Sequence, residues 1–297
     1  MAIILGDHQY GKAENRVVRI YRDNARHEIR DLNVSTALRG PFDPAYLSGD
    51  QSNVLPTDTQ KNTAFAFAKS KGIDTIEDFG LALARHFVQD IAPVEGARIE
   101  VEEYAWQRAV VDGVEHDHTW LRSGQETRTA AVTVNASGEH VVGGFTGLVL
   151  LKSTGSEFAG FLTDDFTTLP ETHDRVMATS LVAQWRFTST TVDWDKTYAG
   201  IKQIMVREFA TLQSLALQQT LWHMGRSVLE AYPFVAEVRL KAPNKHHFAV
   251  DLTPFGLDNP GEVFIAADRP YGLIEATVLR DDAPDAGDAW RISAGLA

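Results

Sequence analysis

Twice along its length this 297-residue chain sets two segments of alternating apolar and polar residues before a helical stretch and two more after it. That order constrains the fold more than any single motif does. In the first half "RVVRIYR" and "HEIRDLNVSTALRG" carry β-branched residues in partial alternation on either side of the turn-like "DNA", which predicts a hairpin. "LPTDTQKNTAFAFAKSKG" reads as the opening of a helix, with Thr57, Asp58 or Thr59 available to cap its first turn. "DTIEDFGLALARHFVQD" then places Ile76, Phe79, Leu83 and Phe87 at helical spacing, and Thr75 with Asp78 resembles a capping box. "GARIEVEEYAWQRAVV" alternates again, and "ETRTAAVTVNA" is its expected partner after a long excursion through "DGVEHDHTWLRSG".

The second half repeats the order. "FTGLVLLKST" and "TSLVAQWRFT" are expected strands, followed by a long helical region from about Tyr198 to Glu230, then "FVAEVRLKAP", "HHFAVDL", "EVFIA" and "GLIEATVLR" as further strand segments. Antiparallel sheets with helices gathered on one face imply an α+β fold. The expected boundary lies near "NASGEH", Asn135 to His140, giving domains 1–138 and 139–297, the second with a C-terminal tail. No Pro-rich, Gly/Ser-rich or charge-block linker separates the halves, so rigid packing is expected. The terminal "RDDAPDAGDAWRISAGLA" is expected to be irregular and partly mobile.

A formal net charge of -12 argues against a broad footprint on nucleic acid or an anionic membrane, yet one arginine in a pocket can still bind an anion. With no cysteine in the chain, disulfides, thiolate zinc sites, iron–sulfur clusters and cysteine nucleophiles are excluded. The apolar run in "MAIILGDHQYGK" is too short for a signal-peptide core and lacks a basic flank, and nothing else approaches a membrane span, so a soluble intracellular protein is expected. Gly-rich phosphate loops, G-x-G-x-x-G, G-x-S-x-G and H-E-x-x-H are all missing.

Four stretches can carry chemistry, each with a plainer reading beside it. In "EHDHTW", His116 and His118 would face one side of an extended segment, but two histidines make an incomplete metal site and a solvated polar loop is the favoured reading. In "APNKHHFAV", period two puts Asn244, His246 and Phe248 on one face and Lys245 with His247 on the other. A histidine beside an amide can shuttle a proton, although polar residues at strand ends are commonly structural. In "STGSEFAGFLTDDFTTLPETHDRVMATS", Phe158, Phe161, Leu169 and Arg175 are either core aromatics with a surface arginine or an aromatic platform with a two-point anion grip. In "TLQSLALQQTLWHMG", Leu215, Leu217, Leu221 and Trp222 are expected core residues. Gln218 and Gln219 are expected to be solvated, though an amide's paired donor and acceptor also suit a purine-like edge.

Taken in order, "YGKAENRVVRI", "PTDTQKNT", "LLKSTGSEFAGFLTDDFTTLPETHDR", "LALQQTLWHM" and "PNKHHF" resemble the urate oxidase (uricase) family, most closely its bacterial members, from residue 10 to about residue 280. The resemblance implies the tunnelling fold: tandem domains assembled as a homotetramer around a central tunnel, with active sites at subunit interfaces. It implies Lys12 and Thr57 as a catalytic dyad and His246 as the third proton-handling group. Phe158 would stack on the substrate ring, Arg175 would grip one edge and Gln218 the opposite edge. Leu217 would offer its backbone N–H, and Asp58 a backbone contact beside Thr57. Asn244 with Thr57 would hold dioxygen and then water above the ring, and Ile274 would line the apolar side of that oxygen pocket.

The activity so implied is oxidation of urate by dioxygen to 5-hydroxyisourate and hydrogen peroxide, with no cofactor: no metal, flavin or haem. Implied partners are urate, dioxygen and further copies of the chain, with no nucleic acid and no membrane. The ending "SAGLA" differs from the Ser-Lys-Leu peroxisomal address of many eukaryotic members, which gives a cytoplasmic expectation. The alternative is a non-catalytic purine or pterin binder on the same fold. It would keep the Phe158, Arg175 and Gln218 clamp and lose Lys12 or Thr57, both of which are present. A zinc-dependent pterin enzyme of this fold is disfavoured by the missing cysteine and the lack of a clear histidine triad.

Overall fold

Strands β1 (Asn15–Tyr21) and β2 (Glu28–Arg39) make the expected antiparallel hairpin, Asn15 lying opposite Val34 and Tyr21 opposite Glu28. The structure, a computed structural model, describes residues 2–291, so the last residues of the expected tail, 292–297, lie outside the described residues. Helices α1 (Asp43–Leu47), α2 (Thr57–Ser70) and α3 (Ile76–Asp90) follow, then β3 (Gly96–Val111) and β4 (Val114–Asn135). The short α1 has no apolar repeat to announce it. α3 starts as expected, with Thr75 Oγ1 accepting from the Asp78 N–H at 3.2 Å.

The long excursion between β3 and β4 does not exist. Asp112 and Gly113 both take positive φ, the backbone of a two-residue I′ turn, and Val111 pairs directly with Val114. "EHDHTW" is therefore strand, not a solvated loop, and register irregularities at Tyr104/Trp106 and Arg108/Val110 absorb the slippage. The second half comprises β5 (Gly138–Lys152), β6 (Met177–Phe187), α4 (Trp194–Thr211), α5 (Leu217–Ala231), β7 (Val235–Ala249) and β8 (Phe264–Leu279). The expected long helix is two helices broken at residues 212–216, and the four late strand segments merge into β7 and β8. A register shift between Asn244 and His246 keeps β7 paired to β8 through the polar interruption that splits its sequence pattern.

The chain forms two compact units. One holds residues up to Phe145, Arg186–Thr197 and the described residues from Pro284 onward; the other holds Thr146–Trp185 and Tyr198–Ala283. Strands follow sequence order, β1-β2-β3-β4 in the first unit and β7 beside β8 in the second. In the first unit, α3 packs on β3 and β4 and buries Ile76, Phe79, Leu83 and Phe87. In the second, α5 packs on β7 and β8 through Leu221, Met224 and Val228. At about 1.5–3 kcal/mol for each fully buried large apolar side chain, these faces hold their helices firmly.

Both helices come close enough to the sheet to require glycine. A Cβ on Gly80 would lie 2.9 Å from Val132 Cγ2 of β4, and one on Gly225 would lie 2.5 Å from Val278 Cγ2 of β8. α2 differs: it buries only Gln60, Ala64 and Ala68, so little apolar area anchors it. The described part of the C-terminal tail is irregular but tied down, since Ala289 is buried and its carbonyl accepts from Arg98 at 3.1 Å. No helix among the described residues is long and apolar enough to cross a membrane.

The first unit also holds a buried cation. Arg128 of β4 bonds Glu77 at 2.8 Å and Asp195 on its other side, with Glu103 at 3.8 Å. Burial pushes the Glu77 carboxyl upward while the Arg128 charge pulls it down. Removing the cation strands a buried carboxylate, so Arg128→Met should destabilise the protein by about 3–5 kcal/mol in denaturant titration. Adding Glu77→Leu should recover most of that loss; an additive double variant would contradict it.

Candidate active site

The site residues of the first unit gather where the 10–12 segment meets the start of α2. Tyr10 pairs with Leu38 (N–H to O 3.2 Å, and 2.8 Å in return), and the Lys12 carbonyl accepts from the Thr36 N–H at 2.8 Å. Gly11 makes this possible, because a Cβ there would sit 1.7 Å from the Thr36 carbonyl oxygen. Lys12 is half-buried, and its N–H donates to Thr36 Oγ1 at 3.0 Å. The Thr36 hydroxyl donates in turn to Gln60 Oε1 at 2.6 Å, one turn along α2 from Thr57.

Thr57 is the first residue of α2, half-buried, with exposed Asp58 beside it. The expected side-chain cap is absent: Pro56 occupies the cap position and makes no side-chain cap hydrogen bond. Asp58 instead accepts from Lys61 and, at 3.0 Å, from Asn62. The Lys61 hydrogen bond and charge hold the Asp58 carboxyl below its ordinary value, and the nearby Lys12 charge adds to this. Lys12, Thr57 and Asp58 are thus brought together.

In the second unit a cleft of about 740 Å³ is lined by Phe158, Arg175, Asn244 and His246, among others. Phe158 stacks on Phe161 with ring centroids 4.8 Å apart and 17° between planes, and the Arg175 guanidinium carbon lies 5.2 Å from the Phe158 centroid. Neither phenylalanine is a core residue; both are half-buried. Arg175 Nε is buried with no hydrogen-bond partner, and burial lowers the guanidinium pKa with no acidic neighbour to offset it. A partly desolvated cation with an unpartnered N–H can take up an anion. His246 stacks with Phe248 (5.7 Å, 21°), and His247 also lines the cleft, so strict alternation fails at the Asn244/His246 shift.

Leu217 and Gln218 open α5, outside the lining of this cleft. Leu217 is buried and Gln218 exposed, and the cap residue Ala216 leaves the first backbone N–H groups without a side-chain partner. A hub that the motifs did not reveal links this turn to Phe158. Ser156 and Ser214, both fully buried, form a parallel bridge, and each hydroxyl points at Met177 Sδ (3.5 and 3.7 Å). Glu157 N–H donates to the Ser214 carbonyl at 2.8 Å and Arg175 N–H to the Ser156 carbonyl at 2.8 Å, so Phe158, Arg175 and the α5 turn share one frame.

Ile274 of β8 pairs with Ala242 of β7 and does not line the cleft. Leu215 and Trp222, expected in the core, are 55% and 52% exposed, because the buried stripe of α5 runs through Leu217, Leu221 and Met224 instead. His116 and His118 do share a side, their ring centroids 4.4 Å apart, but no group of three metal-ligating side chains occurs among the described residues.

An aromatic face, an unpaired arginine and strand-end histidines on an antiparallel α+β frame define a site for a flat, anionic, hydrogen-bonding ligand. A family model described as Uricase matches residues 8–133 and 141–275. The uricase of Arthrobacter globiformis is 48% identical over 294 residues, covering 99% of this chain and 96% of that protein, and that of Danio rerio is 37% identical over 279 residues, covering 91% and 93%. The crystal structure of the A. globiformis uricase superposes with a TM-score of 0.92 at 49% identity, covering 96% of this chain and 98% of that one. A uricase from Bacillus fastidious gives 0.80 at 26% identity, covering 94% and 96%. The chain belongs to the uricase family.

Because Gly11 leaves no room for a side chain, Gly11→Ala must push the Lys12 segment off β2. We expect a loss of about 1–3 kcal/mol, the usual cost of overpacking, in thermal or denaturant unfolding. Stability equal to the parent would show that the segment is not held at this distance.

Proposed function

We propose that this protein is a urate oxidase. It converts urate, dioxygen and water to 5-hydroxyisourate and hydrogen peroxide, with urate itself supplying the electrons and no cofactor taking part. The observation that carries the reading is Arg175, half-buried with its Nε buried and lacking a hydrogen-bond partner, lying over Phe158 in a cleft that also holds Asn244 and His246. A planar urate anion stacked on Phe158 would place an edge at this guanidinium and regain the electrostatic and hydrogen-bonding partners that burial removed.

In this reading Gln218 grips the opposite edge, Leu217 contributes its backbone N–H and Asp58 makes a backbone contact. Lys12 and Thr57 relay a proton from the substrate, with His246 as the third proton carrier. Asn244 and Thr57 hold dioxygen and then water over the ring, and Ile274 contributes an apolar wall. Tandem tunnelling-fold halves, 1–138 and 139–297, a homotetramer with Lys12 and Thr57 completing a neighbouring copy's cleft, and action in the cytoplasm belong to the same proposal. The matching glycine contacts of α3 and α5 support the tandem arrangement; the other features rest on the family resemblance.

Two measurements test it. Protein stripped of metal by chelation and given urate in air should consume urate, seen as loss of its ultraviolet absorbance, and release one peroxide per urate; no consumption would refute the activity. Thr57→Ala should lower kcat by about 10²–10⁴-fold, the range for a positioned proton-transfer group, with KM little changed. Arg175→Ala should instead act mainly by raising KM, and the reverse pattern would exchange the two roles.

A further inference from the structure

The buried pair Thr36 and Gln60 has no part in the chemistry assigned above, yet it joins the two places from which the dyad projects. Gln60 is 0% and Thr36 3% exposed. The Thr36 hydroxyl accepts from the Lys12 N–H at 3.0 Å and donates to Gln60 Oε1 at 2.6 Å. The other end of the same amide, Gln60 Nε2, donates to the Leu55 carbonyl at 3.3 Å, two residues before Thr57. One continuous line of hydrogen bonds therefore runs from the backbone of Lys12 to the turn that presents Thr57.

The line has a single workable polarity. Turning the Gln60 amide over would set its oxygen against the Leu55 carbonyl, leaving two acceptors facing each other in a buried place. It would also bring a second N–H donor to the Thr36 hydroxyl, which could then donate only to the Lys12 carbonyl at 3.5 Å. The direction of each bond is thus set by the others, which makes the unit stiff.

Packing does not supply the same constraint. Apart from Gln60, α2 buries only Ala64 and Ala68, and alanines can slide without opening a large cavity. Neither Thr36 nor Gln60 lines the cleft of the second unit. We propose that Thr36 and Gln60 are positioning residues that hold Lys12 in register with Thr57; this rests on the urate oxidase reading. Their effect would be on turnover, because the dyad acts in proton transfer while the Phe158 and Arg175 clamp binds.

The test uses the full-length assembled protein and the variants Thr36→Val, Gln60→Leu and Thr36→Ser. Thr36→Val is nearly isosteric and removes the relay hydroxyl; Thr36→Ser keeps it. We expect Thr36→Val and Gln60→Leu to lower kcat for urate about 10- to 100-fold, as an ångström-scale displacement of a catalytic group does. KM should stay within about twofold of the parent, as expected when only transition-state interactions are lost. The pH profile of kcat should move, while Thr36→Ser should keep the parent profile and rate. Asp58 and Lys61, the charged groups beside Lys12 at the start of α2, are unchanged in every variant.

A folded Thr36→Val or Gln60→Leu protein with the parent kcat and pH profile would overturn the proposal, as would a Thr36→Ser protein as impaired as Thr36→Val. A second readout separates it from the activity itself: the rate at which Lys12 is acylated by an amine reagent, followed by peptide mass spectrometry across pH. If the parent consumes no urate, the urate oxidase reading fails by itself. The acylation profile of Lys12 then decides the positioning claim, which stands if Thr36→Val moves that profile and falls if the two coincide.

Discussion

Apolar burial of α3 on β3 and β4, and of α5 on β7 and β8, is the constraint on which the other arrangements depend. Each helix gives up side-chain volume at one glycine, Gly80 or Gly225, to come down onto a valine of the sheet. With the helices at that depth, the turns at their ends have few places to go. The first turn of α5 then carries Leu217 and Gln218, and the strand end of β7 carries Asn244 and His246.

Within that frame the placement of site groups is decided by buried polar contacts. An unsatisfied buried hydroxyl or amide costs about 1–3 kcal/mol, so Ser156, Ser214, Thr36 and Gln60 tolerate few alternative positions. The Ser156–Ser214 bridge holds Phe158 and Arg175 to the α5 turn, and Thr36 with Gln60 holds Lys12 to the α2 turn. Both devices work on backbone. The side chains that face a ligand are thereby left free of structural hydrogen bonds, as the bare Arg175 Nε illustrates.

How much of this could be read from the sequence depends on whether a residue's role shows in its periodicity. α3 was legible because Ile76, Phe79, Leu83 and Phe87 repeat along one face, and the cap at Thr75 followed its usual spacing. The β3–β4 hairpin was obscured by the polar run His116 to Thr119, although its Asp112-Gly113 turn carried a recognised signal. β7 reads as two segments because Pro243, Asn244 and Lys245 interrupt the apolar pattern where pairing shifts register. For the candidate site, Phe158, Arg175, Asn244 and His246 could be carried over by motif. Gln60 could not, since a glutamine in a helix reads as solvated until the fold shows it buried against Thr36.

The acidic balance of the chain and its anion-seeking cleft are compatible because the two act over different distances. A formal net charge of -12 sets a diffuse field that salt screens within about 8–10 Å. Arg175 would act at contact, where partial burial thins the competing water and no described carboxylate pairs with the guanidinium. Asp174, adjacent in sequence, accepts from Thr154 Oγ1 at 2.9 Å and from the Gly155 N–H at 3.1 Å. Asp174 lines the same cleft as Arg175, and its carboxylate is engaged by these donors of the neighbouring turn rather than by the guanidinium. An acidic protein can therefore recognise an anion through one residue, provided that the residue's backbone is fixed and its acid neighbour does not pair with it.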